Sequence, residues 1–220
     1  RDRFLLSHGH YAIAHYAARM LFRLTGAPVV VRGLEHLPKD QRYVLVANHS
    51  SYLDGAVIAA ALRQPLVFVA KREFMAQPIP RVYLKRLGAQ LVERFVAGEG
   101  VKDTQHLEEV ARAGPPLAFF PEGTFVRAAG LRSFRLGAFV VAANTGLPVV
   151  PVAIRGTRTI LRAKEWLPIP GSITVTIGVP IALPQDVPDA FAAAIALRDR
   201  ARAHIREYSG EPDARANVLG

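Results

Sequence analysis

Cysteine is absent from this 220-residue chain, which removes disulfides, thiolate metal sites and a cysteine nucleophile together. A chain without thiols suits a reducing compartment, such as the cytoplasm or the cytoplasmic face of a membrane. Aromatic residues make up only 8%, and they do not interleave with the arginines as a stacking platform for bases requires. Acidic residues are also scarce, 18 Asp and Glu against 28 Lys and Arg, which leaves a formal charge of +10. With nucleic acid disfavoured, that charge points to other phosphate-rich partners, anionic lipid or coenzyme A.

Long apolar runs are missing as well. No Asp, Glu, Lys or Arg stands between Phe4 and Ala18, yet as a helix this stretch reaches about 22 Å, short of a hydrocarbon core of about 30 Å. His8, His10 and His15 interrupt it, so the signal-peptide pattern of an apolar run and a small-residue cleavage site is lacking. Leu6, Ile13, Ala17, Met20, Leu21 and Leu24 fall near helical spacing, with Arg19 and Arg23 beside them. Two readings stay open: a helix lying in a membrane interface, and a helix packed on the domain's own core. The chain opens Arg1-Asp2-Arg3 rather than with methionine, which reads as processing or excision from a longer polypeptide.

What is present is a large apolar fraction, 50% of the residues, enough for one domain with a substantial core. Short β-rich runs recur at Val29–Arg32, Tyr43–Ala47, Leu66–Ala70, Gln90–Val92, Leu117–Phe120, Val149–Ile154 and Ile173–Ile177. Several are apolar throughout, as buried strands are. Helical stretches at Leu53–Leu62, Val101–Ala113 and Phe134–Thr145 alternate with them. A last amphipathic helix starts near Pro188 and stops at Gly210. The expected architecture is a single α/β domain over 29–209, a mostly parallel central sheet flanked by helices. An amphipathic helical segment, 1–28, precedes it and a flexible tail, 210–220, follows.

Two short segments carry chemistry. Asn48-His49-Ser50-Ser51-Tyr52-Leu53-Asp54 follows an apolar strand, so His49 sits at a strand's carboxyl end. On one continuous helix a five-residue separation turns side chains roughly 140° apart. His49 and Asp54 therefore meet only if the histidine lies in the turn and the aspartate in the first helical turn. In that arrangement the carboxylate fixes the imidazole tautomer, and the other ring nitrogen takes a proton from a substrate hydroxyl. Neither Ser50 nor Ser51 stands in a GxSxG nucleophile setting.

Phe120-Pro121-Glu122-Gly123-Thr124 follows a second buried strand. Gly123 lets the backbone approach a ligand, and main-chain amides with the Thr124 hydroxyl suit an anionic oxygen. Glu122 is read either as a ligand for a substrate hydroxyl or an orienter of a nearby arginine, or as a structural carboxylate of the turn.

These segments, with two more, resemble the 1-acylglycerol-3-phosphate acyltransferase family within the wider glycerolipid acyltransferases. The first matches its NHxxxxD block, Gly88-Ala89-Gln90-Leu91-Val92-Glu93-Arg94 resembles the second, Phe120 to Thr124 matches the third and Val150-Pro151-Val152-Ala153-Ile154 the fourth. Phe125 stands where the third block usually continues with arginine, and Arg127, Arg132 and Arg135 lie just beyond. The resemblance implies His49 and Asp54 as the acyl-transfer dyad. It implies Arg94, Glu122, Gly123, Thr124, Arg127 and Arg135 around a phosphate-bearing acceptor. It further implies acyl-CoA or acyl carrier protein as donor, a lysophospholipid acceptor, an anionic membrane surface as partner, and no metal or other cofactor. The basic and apolar segments Lys71 to Met75 and Arg81 to Arg86 suit lipid headgroups. Rival readings are an acyltransferase for a different acceptor, to which Phe125 points, a noncatalytic lipid- or acyl-thioester-binding domain of a larger polypeptide, and a hydrolase in which His49 activates water.

Overall fold

Runs rich in valine and isoleucine become strands because a β-branched side chain fits a pleated surface buried on both sides. The computed structural model describes residues 8–39, 41–71, 90–92, 100–124, 128–161 and 169–214. Its strands are β1 (Val29–Arg32), β2 (Val44–Ala47), β3 (Val67–Lys71), β4 (Gln90–Val92), β5 (Leu117–Phe119), β6 (Val149–Arg155) and β7 (Ile173–Ile177). Its helices are α1 (His8–Leu24), α2 (Asp54–Ala61), α3 (Gly100–Ala113), α4 (Gly137–Thr145), α5 (Thr157–Ile160) and α6 (Ala190–Ser209). The basic segments 71–75 and 81–86 lie outside the described residues except for Lys71, which ends β3.

The strands form one sheet in the order β1-β7-β6-β2-β5-β3-β4. Strands β2 to β6 run parallel, as expected for a mostly parallel sheet. β7 runs antiparallel to β6 and carries β1 beside it in its own direction. Ala47, Phe119 and Arg155 thus end β2, β5 and β6 at one edge, where open α/β sheets bind their ligands.

Strand β2 lies at the centre of this layering. Its Leu45 and Ala47 enter the core beneath α2, while Val44 and Val46 enter a second core with α3, α4 and α6. All four are fully buried, and burying each large apolar side chain is worth about 1.5–3 kcal/mol. The strand that delivers His49 is therefore gripped on both faces.

Helix α1 packs one face on the domain, as the second reading of the N-terminal segment has it. Tyr11, His15 and Phe22 are buried, and the His15 ring donates from Nδ1 to the Ala59 and Leu62 carbonyls at 3.0 Å each. Arg19 adds a bond to the Ala60 carbonyl at 3.3 Å. These are the carbonyls that the C-terminus of α2 leaves without helical donors, and a basic side chain there also suits the helix dipole. The other side of α1 exposes Ile13 at 69% and Leu24 at 73%, with Tyr16, Met20 and Leu21. No helix among the described residues is long and apolar enough to cross a membrane.

Two expectations need correction. Phe134-Arg135-Leu136 is not helical, because the Arg135 amide bonds the Pro121 carbonyl at 2.9 Å and α4 starts only at Gly137. Gly210 does end α6, in a left-handed conformation at φ 71°, but the segment behind it is not a loose tail through residue 214. Leu131 donates to the Pro212 carbonyl at 2.7 Å, Ala214 donates to that of Leu131 at 3.3 Å, and Arg202 pairs with Asp213 at 2.7 Å. Residues 215–220 lie outside the described set.

Candidate active site

Asn48, the first residue past β2, continues the sheet with its side chain. Its amide nitrogen donates to the Ile154 carbonyl at 2.8 Å, and its oxygen accepts the Ile154 amide at 2.7 Å. The chain then turns, with Ser51 donating from its hydroxyl to the Leu161 carbonyl at 2.8 Å and accepting the Leu53 amide at 3.3 Å. Asp54 opens α2, where the helix dipole favours a carboxylate.

In this turn the expected meeting takes place. Asp54 Oδ2 accepts three N–H groups: the Ser50 amide at 2.6 Å, the Ser51 amide at 2.8 Å and His49 Nδ1 at 2.9 Å. The carboxylate is an acceptor, so Nδ1 carries the proton and Nε2 is the basic nitrogen of the ring. Asp54 is fully buried, while the His49 side chain keeps 19% of its surface exposed. Its imidazole stacks on Phe120 with centroids 4.4 Å apart, and Phe120 stacks on Phe68 behind it at 6.4 Å. An aromatic wall thereby limits where the ring can swing.

The third block faces this turn, and Glu122 and Gly123 within it are bonded to the main chain. Glu122 is buried, with Oε1 accepting the His49 amide and Oε2 the Arg132 amide, both at 2.8 Å. Burial raises its pKa, against the opposing pull of those two amides. Of the readings for Glu122, the structural one fits: both oxygens are committed to the main chain rather than turned to a substrate hydroxyl. Gly123 likewise spends its amide on the Phe120 carbonyl at 2.9 Å, which closes the turn instead of offering that N–H to an anion.

Gly123 does serve close approach, at φ 75°. A Cβ on it would stand 2.8 Å from Arg135 Nε, so its bareness lets the Arg135 guanidinium lie across the turn. Arg135 is exposed and makes no ion pair with the described residues. Thr124 follows, half-buried. Arg94, Arg127 and Phe125 lie outside the described residues. Among the described residues no three His, Asp or Glu side chains cluster at metal-ligating spacing.

One residue of the site went unforeseen. Glu211, just past α6, accepts Arg158 Nε at 2.7 Å and the Ser50 hydroxyl at 3.2 Å on Oε1, and the Gly130 amide at 2.7 Å on Oε2. A lone glutamate in a polar tail carries no local signal of such a role.

The model of the family described as Acyltransferase matches residues 28–155, from just before β1 to the end of β6. The chain is 32% identical over 172 residues to the chloroplastic 1-acyl-sn-glycerol-3-phosphate acyltransferase LPAT1 of Arabidopsis thaliana, covering 76% of this chain and 48% of that protein. It is 29% identical over 184 residues to human 1-acyl-sn-glycerol-3-phosphate acyltransferase alpha, covering 81% and 62%. Its fold is similar to the crystal structure of the 1-acyl-sn-glycerophosphate acyltransferase PlsC from Thermotoga maritima, with a TM-score of 0.71 at 25% identity over 91% of this chain and 80% of that one. The chain spans about half the length of several curated relatives it matches.

Proposed function

Because this chain belongs to the acyltransferase family, we propose that it moves a fatty acyl group from an acyl thioester to the free hydroxyl of a lysophospholipid, converting 1-acylglycerol-3-phosphate to phosphatidic acid. The observation that carries this reading is the His49–Asp54 bond at 2.9 Å, at the carboxyl end of the sheet. The relatives named 1-acyl-sn-glycerol-3-phosphate acyltransferase support the choice of acceptor.

His49 Nε2 removes the proton of the acceptor hydroxyl as its oxygen attacks the thioester carbonyl. Asp54 stabilises the imidazolium so formed. As the tetrahedral intermediate collapses, the carbon–sulfur bond breaks and the imidazolium returns its proton to the leaving thiolate, which departs as the thiol of coenzyme A or acyl carrier protein. The reaction needs no prosthetic group. Arg135, exposed beside the third block, takes the acceptor phosphate, with Arg94, Thr124 and Arg127 as further ligands. The apolar face of α1, with Ile13, Met20 and Leu24, rests peripherally on an anionic membrane surface at its cytoplasmic face, where the acceptor resides.

The test is product analysis with an acyl-CoA and either lysophosphatidic acid or a monoacylglycerol lacking the phosphate. The reading expects a diacyl phosphate product and much weaker use of the neutral acceptor. Release of free fatty acid alone would assign a hydrolase, and absence of turnover with every lysophospholipid and both donors would assign a binding domain.

A further inference from the structure

Glu122 and Glu211 bridge the same two loops side by side. Glu122 links the His49 amide to that of Arg132, and Glu211 links the Ser50 hydroxyl to the Gly130 amide. The consecutive residues 49 and 50 are thus tied to the 130–132 loop by two separate carboxylates. One comes from the third block; the other lies beyond the 28–155 region that the family shares.

Glu211 is built to hold still. Its side chain is 10% exposed, and its charge is balanced by Arg158 Nε at 2.7 Å. Its own segment is fixed on the far side, where Arg202 binds both Asp213 oxygens, at 2.7 and 3.2 Å, and the Leu131 carbonyl at 3.1 Å. The backbone of Ser50, whose hydroxyl Glu211 receives, delivers the shortest of the three bonds to Asp54 Oδ2. A displacement of Ser50 therefore reaches the carboxylate that orients the imidazole.

We propose that Glu211 is a positioning residue for the catalytic pair, acting through Ser50 to hold Asp54 and His49 in register. This rests on the acyl-transfer reading for its kinetic consequence and on the geometry alone for its structural one. A glutamine at this position keeps the size but has one accepting oxygen where two are used, so either Gly130 or the Ser50 and Arg158 donors face an NH2 group. Serine-to-alanine at position 50 removes only the hydroxyl and keeps the amide that binds Asp54.

The experiment compares wild type, Glu211→Gln, Ser50→Ala and, as a control for general loosening, Ile205→Val, a change in the core beneath α6. Two readouts are taken well below each melting temperature: kcat and KM for both substrates, and the proton NMR signal of His49 Nδ1–H, which needs no substrate. The expected result for Glu211→Gln is a kcat lower by about tenfold or more with KM within about twofold, since small misplacements of a catalytic group are costly. The His49 signal should shift or broaden in Glu211→Gln and, to a smaller degree, in Ser50→Ala, and not in Ile205→Val. Unchanged signals in both variants would overturn the proposal, and so would a kcat equal to that of wild type. Should Glu211→Gln fail to fold, Ser50→Ala carries the decision alone. Should wild type itself form no diacyl product, the acyl-transfer reading falls, and the NMR comparison still decides whether Glu211 positions His49.

Discussion

His49 Nδ1 meets Asp54 Oδ2 at 2.9 Å, and all three hydrogen bonds to that carboxylate fall on this one oxygen. Its twin, Oδ1, is buried without a hydrogen-bond partner among the described residues. The asymmetry has a consequence for substitution. In Asp54→Asn the amide oxygen can keep the three donors while the NH2 group takes the place of Oδ1. The fold should survive and the charge that stabilises the imidazolium should vanish. A fall in kcat of about a hundredfold or more, with far-ultraviolet circular dichroism unchanged, is the expected outcome.

Glu122→Gln should behave in the opposite way. Both Glu122 oxygens accept backbone amides, so an NH2 group must confront one of them whichever way the side chain is flipped. Leaving a buried donor unsatisfied costs about 1–3 kcal/mol. Urea unfolding should show a loss of that size, although the substitution is nominally isosteric.

Gly123→Ala sets a methyl group where Arg135 Nε stands only 2.8 Å away, at φ 75°, which disfavours a side chain in any case. Displacing the guanidinium should raise the KM of a phosphate-bearing acceptor by about tenfold or more, the scale of one charge-assisted hydrogen bond. Arg135→Ala should do the same, and the double variant should add little to either. An acceptor without phosphate should be indifferent to Arg135→Ala.

His204, whose ring lies against Gly178 just past β7, gives a pH dependence of stability. Burial holds its imidazole below the ordinary histidine pKa, partly offset by nearby Glu207. A depressed histidine favours the neutral form in the fold, so its contribution is full above the unfolded pKa of about 6.5. That contribution is lost as pH falls through the folded value. Between about pH 7.5 and about pH 5.5, the urea midpoint of wild type should drop further than that of His204→Gln.

Much of this was legible from local pattern. The seven strand positions follow from short β-rich runs, and the His49–Asp54 contact follows from one residue in a turn and the other at a helix start. Orientation was harder to read. Nothing in Ile173–Ile177 says that it pairs antiparallel with β6, because chain direction within a sheet is set by the connection and not by strand composition. The motif showed that Glu122 stands near the site, but not that both its oxygens turn to main-chain amides. Apolar spacing carried the fourth helix back to Phe134, where a tertiary bond from Arg135 to Pro121 prevails. Glu211 reaches Ser50 across 161 residues, a distance at which a single sequence holds no periodicity to follow.

The proposed acyl transfer uses His49 as its base. Its most direct test measures thiol release from acyl-CoA in the presence of detergent-dispersed lysophosphatidic acid, with the lipid product identified, for wild type and for His49→Ala of verified fold. The expected result is a diacyl product from wild type and a rate lower by about a hundredfold or more in the variant. A folded His49→Ala protein that forms the same product at the wild-type rate would contradict it.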